Sequence, residues 1–172
     1  MPCVDDPFDL IGRLPFSHHL ANDVREIFVC ILHGFPCRTP GIERSINERW
    51  NNGDCSGYIE TYSEDVTYFD PATGKLLVGR KAVEDHIRRL YKNPHIVRSE
   101  YRNPQVSVSD DSALAVLSYN LRNFVADEAG GEKLLTHWNS TEVYRLIGDE
   151  WRIVHSHWSF AQHPAIMQNL IV

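Results

Sequence analysis

Apolar residues near the start of the chain recur every three to four positions, as they do along one face of a helix. The series is Leu20, Val24, Ile27, Phe28, Ile31, Leu32 and Phe35. It predicts an amphipathic helix from Phe16 to Phe35 that must bury its apolar stripe. Residues 1–15 contain three prolines and show no such spacing, so we expect an arm or a loop there.

Two more helices are predicted before the first strand. Thr39 and Pro40 are a typical cap and first turn of a helix, and apolar residues continue along one side as far as Asn51. Beyond that helix, Asp54 is well placed to cap a short third one. The third helix is expected to contain Tyr58, Ile59 and Tyr62.

The spacing of apolar residues changes to two at Val66–Asp70, which predicts a strand that Pro71 closes. Helical spacing returns from Lys81 to Tyr91. Alternating positions and turn residues then predict four long strands, over Val97–Val108, Ala113–Val125, Leu134–Leu146 and Trp151–Phe160. Helices followed by an antiparallel meander are typical of the α+β class.

The length of 172 residues suits one substantial domain, expected over residues 39–172, with an extension over residues 1–38. The formal charge is −6 and the basic residues form no stripe, so we expect no nucleic-acid partner. The longest apolar run near the N-terminus, Ile27 to Leu32, has no basic leader and is far shorter than the roughly 20 residues of a membrane span. We therefore expect neither a signal peptide nor a membrane anchor.

The four cysteines have neither the spacing of a metal site nor the density of a disulfide framework. They are Cys3, Cys30, Cys37 and Cys55. This usage favours a reducing compartment, and we expect a cytoplasmic protein.

Short motifs stand in a distinctive order along residues 40–160. The first group is WNNGD at 50–54, DVTYFDP at 65–71 and GRKAV at 79–83. The second joins NPQV at 103–106 to SALAV at 112–116, and the third joins TEVY at 141–144 to WRIVHSH at 151–157. Together they resemble the SnoaL-like (NTF2-like) superfamily, which includes ketosteroid isomerases, polyketide cyclases, scytalone dehydratase and the association domain of calcium/calmodulin-dependent kinase II.

The resemblance implies an α+β cone, in which N-terminal helices wrap a curved antiparallel sheet around a pocket. Enzymes, scaffolds and carriers share this fold, so it leaves two kinds of function open. The preferred one is a cofactor-independent isomerase, cyclase or dehydratase of secondary metabolism, which acts by proton transfer on a hydrophobic, carbonyl-bearing small molecule. The alternative is a non-enzymatic ligand-binding or oligomerisation module similar to the kinase association domain.

Asp70 matches the position of the general base in ketosteroid isomerases. At the end of its strand, a carboxylate can point into a low-dielectric cone and accept a proton from the substrate. The alternative is a surface carboxylate in a proline turn, which is common turn chemistry.

The oxyanion donors of those isomerases are a tyrosine on the first helix and a protonated aspartate on a later strand. The matching positions here lie near Ile46 and near Thr141 or Glu142. Glu142 can act as a neutral acid, or pair with a cation, if its strand turns it inward with Ser140 and Tyr144. Otherwise it is an exposed strand carboxylate.

In the kinase association domain, the positions that match Arg98 and Tyr119 line a polar pocket. By this resemblance Arg98 holds an anionic ligand group, and Tyr119 donates to a carbonyl as a third catalytic residue. The alternatives are a solvated strand end for Arg98 and core packing for Tyr119.

Tyr68, Trp138 and His157 are expected, with Arg98, to shape and orient the ligand. His155 and His157 share one face of a strand, but we expect no metal site because the related association domain has the same pair without metal. The sequence contains no nucleotide, flavin or metal motif, so no cofactor is expected.

The meander carries more aromatic residues than one pocket wall can use, and members of the superfamily commonly pair through the outer face of the sheet. We therefore expect a homodimer or a higher homo-oligomer. The predicted helix Phe16 to Phe35 is expected to cover either the pocket mouth or a subunit interface. Asp70, Tyr119 and Glu142 are expected to converge on one cavity bounded by the helix from Pro40 to Asn51.

Overall fold

The computed structural model describes residues 42–93 and 95–161. Its helices are α1 (Ile42–Asn51), α2 (Ser56–Thr61) and α3 (Arg80–Leu90). Its strands are β1 (Tyr62–Phe69), β2 (Leu77–Val78), β3 (Arg98–Val108), β4 (Leu114–Ala126), β5 (Glu132–Ile147) and β6 (Glu150–Phe160). The predicted helix Phe16 to Phe35 lies outside the described residues.

The six strands form one curved sheet in the order β2-β1-β6-β5-β4-β3. Strands β3 to β6 follow one another as the predicted antiparallel meander. Strand β1 instead runs parallel to β6, with Phe69 beside His157. This crossover places the end of β1 beside β6, the last strand of the meander. The helices together with this sheet confirm the predicted α+β class.

One face of the sheet is buried and the other is open to solvent. Alternation along β4 buries Ala115, Leu117, Tyr119 and Leu121, while the residues between them point outward. Helices α1, α2 and α3 cover the buried face with apolar side chains from each. None of the helices in the described ranges is long and apolar enough to span a membrane.

Two local elements differ from the sequence predictions. Strand β1 begins at Tyr62, which the apolar spacing assigned to the preceding helix. Strand β2 was not predicted, because two residues are too short to show alternation; it exists because Leu77 and Val78 pair with β1. The N-cap of α2 is Cys55 rather than the predicted Asp54, although Asp54 accepts a hydrogen bond from the Ser56 N–H (2.9 Å) at the start of that helix.

Candidate functional site

A cavity of about 560 Å³ opens between the helices and the buried face of the sheet. This volume is within the range of about 300 to 1,000 Å³ that is usual for small-molecule sites. Aromatic side chains from α1, α2, β1, β5 and β6 form a large part of the wall. These include Trp50, Tyr58, Tyr62, Tyr68, Trp138 and Trp158. The wall is therefore suited to a hydrophobic ligand.

Asp70 lies in the wall of this cavity, immediately after β1. The turn that Pro71 begins holds it there, because the Thr73 N–H donates to the Asp70 carbonyl (3.1 Å). In the same turn the Ala72 N–H donates to the carboxylate Oδ1 (2.8 Å). Asp70 is thus both the proline-turn residue and the cavity residue that the sequence offered as alternatives.

The second carboxylate oxygen of Asp70 accepts from two side chains. Tyr68 donates its hydroxyl to Oδ2 (3.1 Å), and His86 Nε2 lies 2.8 Å from the same oxygen. Arg89 Nη2 lies 3.3 Å from His86 Nδ1. A guanidinium can only donate, so Nδ1 is the acceptor and the imidazole proton is on Nε2, directed at Asp70. Two buried donors therefore fix the carboxylate in one orientation.

Sequence reasoning missed His86. It is buried in α3 between Val83 and Ile87, on the side that faces the sheet. A titratable residue within the apolar stripe of a helix was the available sequence signal, because such a residue is buried and needs a polar partner. The stripe could not reveal the partner, since Asp70 lies 16 positions earlier in the chain.

Tyr119 points to the interior but does not line the cavity. Its hydroxyl donates to Oε1 of Glu43, a fully buried carboxylate on α1. Tyr58 (3.0 Å) and Asn47 Nδ2 (2.9 Å) donate to the same oxygen, and Tyr144 donates to Oε2. Tyr119 therefore belongs to a cage of donors around Glu43, beneath the cavity wall.

Glu142 is fully buried and points inward with Ser140 and Tyr144, which is the first of the two alternatives that the sequence left open. Its Oε1 accepts from Ser156 (2.9 Å) and Ser140 (3.4 Å), while Oε2 has no hydrogen-bond partner among the described residues. Burial, and after it the nearby Glu43 carboxylate, raise the pKa of Glu142 well above its ordinary value. Glu142 is therefore a neutral acid beneath the cavity wall.

Replacing Glu142 by glutamine keeps the shape and removes the titration. In the wild type the folded state keeps a proton that the unfolded chain releases, so stability falls as pH rises above 4.5. We expect E142Q to lose this part of the pH dependence and to exceed the wild type in stability at about pH 8. Urea unfolding of both proteins at about pH 5 and about pH 8 measures the free energy of unfolding and its change with pH. Equal pH dependence of the two proteins would contradict the assignment.

The remaining predicted site residues separate into two groups. Tyr68 and Trp138 line the cavity as expected. Arg98 lies instead in a neighbouring polar groove, where it pairs with Glu132 (2.7 Å) and covers the Phe124 ring. His157 is exposed on the outer face of the sheet because β6 turns Trp158, rather than its neighbour, inward.

Tyr62 is a cavity residue that the sequence pattern did not identify, because the pattern placed it on a helix. It packs edge-on against Tyr68, with ring centroids 6.2 Å apart. Burial raises the pKa of its hydroxyl well above the ordinary value, so the group stays protonated. Tyr62 therefore lines the cavity beside Tyr68 with a protonated hydroxyl, which lies within reach of Ser156.

No group of three or more metal-binding side chains occurs within the residues that the structure describes. His155 and His157 do share a face, but it is the outer one, and His155 Nδ1 is hydrogen-bonded to Thr67 Oγ1 (2.8 Å). The chemistry available in the cavity is thus that of a carboxylate and hydroxyl donors on an aromatic wall.

Comparison with solved structures shows the same fold in proteins of different kinds. The chain is similar to a proposed ketosteroid isomerase from Parabacteroides distasonis ATCC 8503, with 26% identity and a TM-score of 0.61 over 78% of this chain and 97% of that one. It is similar in fold to the CaMKII hub homology domain of Chlamydomonas reinhardtii, with 21% identity and a TM-score of 0.57 over 69% and 92% of the two chains. An NTF2-like protein from Novosphingobium aromaticivorans has 18% identity and a TM-score of 0.54 over 99% of both chains.

These similarities confirm the resemblance found in the sequence motifs. No curated protein matches the chain in sequence. The family model described as the SnoaL-like domain matches residues 44–163, which include every strand and most of α1. The chain therefore belongs to the SnoaL-like domain family.

Proposed function

We propose that the protein is a cofactor-independent enzyme that moves a proton on a hydrophobic, carbonyl-bearing small molecule, as an isomerase, cyclase or dehydratase does. One observation carries this proposal. Asp70 is a carboxylate in the wall of an aromatic cavity, and its side chain is 15% exposed and oriented by His86 and Tyr68. A positioned carboxylate in a water-poor cavity is suited to act as a general base.

In the proposed reaction Asp70 takes a proton from the carbon next to the carbonyl. The electron pair of that C–H bond forms the carbon–carbon double bond of an enolate, and the negative charge moves to the carbonyl oxygen. Asp70 then returns the proton, to the same carbon or to one conjugated with it. The enzyme ends unchanged, and no oxidant or reductant is needed.

The enolate oxygen requires a donor in the cavity. Tyr62 is the hydroxyl that we assign to this role, since the Tyr119 hydroxyl is already bonded to Glu43. In this proposal Tyr119 and Glu142 do not contact the substrate but support the cavity wall from beneath. Glu142 is a neutral acid that accepts from Ser156, and Ser156 accepts from Nε1 of the wall residue Trp158 (3.1 Å).

Hydrogen exchange tests the proposal without knowledge of the natural substrate. Hydrophobic ketones with acidic α-hydrogens, such as androst-4-ene-3,17-dione, are incubated with the protein in D₂O, and loss of the α-hydrogen signals is followed by NMR. We expect exchange well above that caused by an equal concentration of serum albumin. Exchange at the albumin rate across fused-ring and open-chain ketones would reject the proposal.

A second role, in assembly, is favoured by the outer face of the sheet. Its centre has no Asp, Glu, Lys or Arg, although these residues make up 23% of the chain. The residues of this centre are Thr67, Phe69, Val116, Ser118, Thr141, Val143, His155 and His157. We propose that this face joins two copies of the chain as a homodimer.

Light scattering is expected to give the mass of a dimer for the wild type. Val143→Glu should give a monomer, because Val143 lies opposite Val116 in the centre of the face. Leu146→Glu is the matched control, since Leu146 lies on the same strand near its exposed end. A wild-type monomer at high micromolar concentration would contradict the proposal.

A further inference from the structure

A second polar group lies in the cavity wall, away from Asp70. Asn123 on β4 and Thr136 on β5 are directly opposite each other, and both line the cavity. Their neighbours in the wall are apolar or aromatic, including Leu121, Leu135 and Phe160. A polar pair in such a wall has a desolvation cost unless a ligand bonds to it.

The amide of Asn123 is oriented by a relay from α1. Asn51 Nδ2 donates to Ser99 Oγ (2.9 Å), and the Ser99 hydroxyl donates to Asn123 Oδ1 (2.8 Å). The side-chain oxygen is thereby taken, and the residue is only 6% exposed. Asn123 therefore presents its NH₂ group to the cavity as a donor.

Thr136 adds a hydroxyl beside this donor. Its Oγ1 is buried and has no hydrogen-bond partner among the described residues. Buried hydroxyls are nearly always bonded, so one with no partner among the described residues, in a side chain that lines the cavity, is satisfied when rotation about χ1 turns it to a ligand atom. The amide and the hydroxyl together can hold one ketone or hydroxyl oxygen.

The strand register gives the separation of the two polar ends. Phe69 pairs with His157, and His157 pairs with Thr141, so Asp70 is level with Ser140 on β5. Thr136 lies four residues further along β5 than Ser140, or about 13 Å along the strand at 3.3 Å per residue, and the two strand spacings from β1 to β5 add a sideways offset of about 10 Å. Trp138 and Trp158 line the intervening wall.

We propose that Asn123 and Thr136 select elongated hydrophobic ketones with a second oxygen at the end remote from the reacting carbonyl. The inference rests on the proposed function for the reacting end. The second oxygen of the ligand is bound by the Asn123–Thr136 pair alone. Its contribution to affinity can therefore be measured by ligand binding, without any reaction taking place.

A matched pair of fused-ring ketones tests the selection. Androst-4-ene-3,17-dione has oxygen at both ends of the ring system, and androst-4-en-3-one lacks the remote oxygen. Quenching of tryptophan fluorescence reports binding, because Trp50, Trp138 and Trp158 line the cavity. We expect the wild type to prefer the dione about tenfold, as one or two modest hydrogen bonds would give.

Thr136→Val and Asn123→Leu should each reduce this preference to about threefold or less. T136V removes no hydrogen bond to any residue in the described part of the chain, so its melting temperature should not fall, and it keeps the test valid if N123L folds poorly. Thr61→Val is the control, since Thr61 lies on α2 outside the cavity, and it should keep the full preference.

Three results would overturn the inference: equal affinity of the wild type for the two compounds, an unchanged preference in T136V and N123L, or no binding of either compound up to its solubility limit. The proposed function fails separately. If an Asp70→Asn variant exchanges α-hydrogens at the wild-type rate, Asp70 is not the base and the proposed function is rejected. The inference about Asn123 and Thr136 survives that result as long as the preference for the dione depends on Thr136.

Discussion

Asp70→Asn is expected to slow α-hydrogen exchange on bound ketones by about 10²- to 10⁴-fold, the usual contribution of a general base. The amide has nearly the shape of the carboxylate, and its oxygen can still accept from the Ala72 N–H, while its NH₂ group faces His86, whose ring must then take the other tautomer. It cannot accept a proton from carbon at a useful rate. Fluorescence titration should therefore show ligand affinity within a few-fold of the wild type while exchange is lost.

Asp65→Asn is the matched control for this variant. Asp65 lies on the same strand but is exposed and paired with Arg145 (3.1 Å), so its amide should leave exchange unchanged. His86→Ala should have a smaller effect than D70N, because His86 acts only by positioning the carboxylate. Exchange by D70N within fivefold of the wild-type rate would show that another group is the base.

Glu43→Leu is expected to lower the free energy of unfolding by about 3 to 5 kcal/mol, as when one member of a buried polar set is removed. Glu43 is fully buried, and its carboxylate accepts hydrogen bonds from Asn47 and from the hydroxyls of Tyr58, Tyr119 and Tyr144. Leucine fills similar space but leaves these buried donors without their acceptor. Each such donor costs about 1 to 3 kcal/mol before the structure relaxes.

Urea unfolding followed by circular dichroism measures this loss. Glu48→Leu, an exposed position of the same helix, should change stability by less than about 0.5 kcal/mol. Glu43→Gln should fall between the two, since it keeps one acceptor oxygen. If E43L were as stable as E48L, the cage would contribute nothing to stability.

The cage was not predictable from local pattern. Glu43 is an acidic residue in the first turn of α1, a position where such residues usually lie in water and favour the helix dipole. Its burial arises because Tyr58, Tyr119 and Tyr144 come from three other elements and bring their hydroxyls to one point. Each of these tyrosines looks by itself like an ordinary core residue.

The alternation of apolar positions was sufficient to predict the four long strands and α3, because these elements bury one face each and the period of the pattern reports that face. Tyr62 shows where this reasoning fails. It stands at the junction of α2 and β1, and one apolar residue at a boundary is consistent with either spacing. Only pairing with Ile153 on β6 identifies it as a strand residue.

The sequence by itself determined the order of helices and strands and the family motifs, since each depends on residues close together in the chain. The tertiary structure decided which side chains meet. It placed His86 on Asp70, turned His157 outward, left Arg98 in a separate groove and set Asn123 beside Thr136. These outcomes depend on the curvature of the sheet and on the parallel pairing of β1 with β6, which join distant segments and leave no local pattern in the sequence.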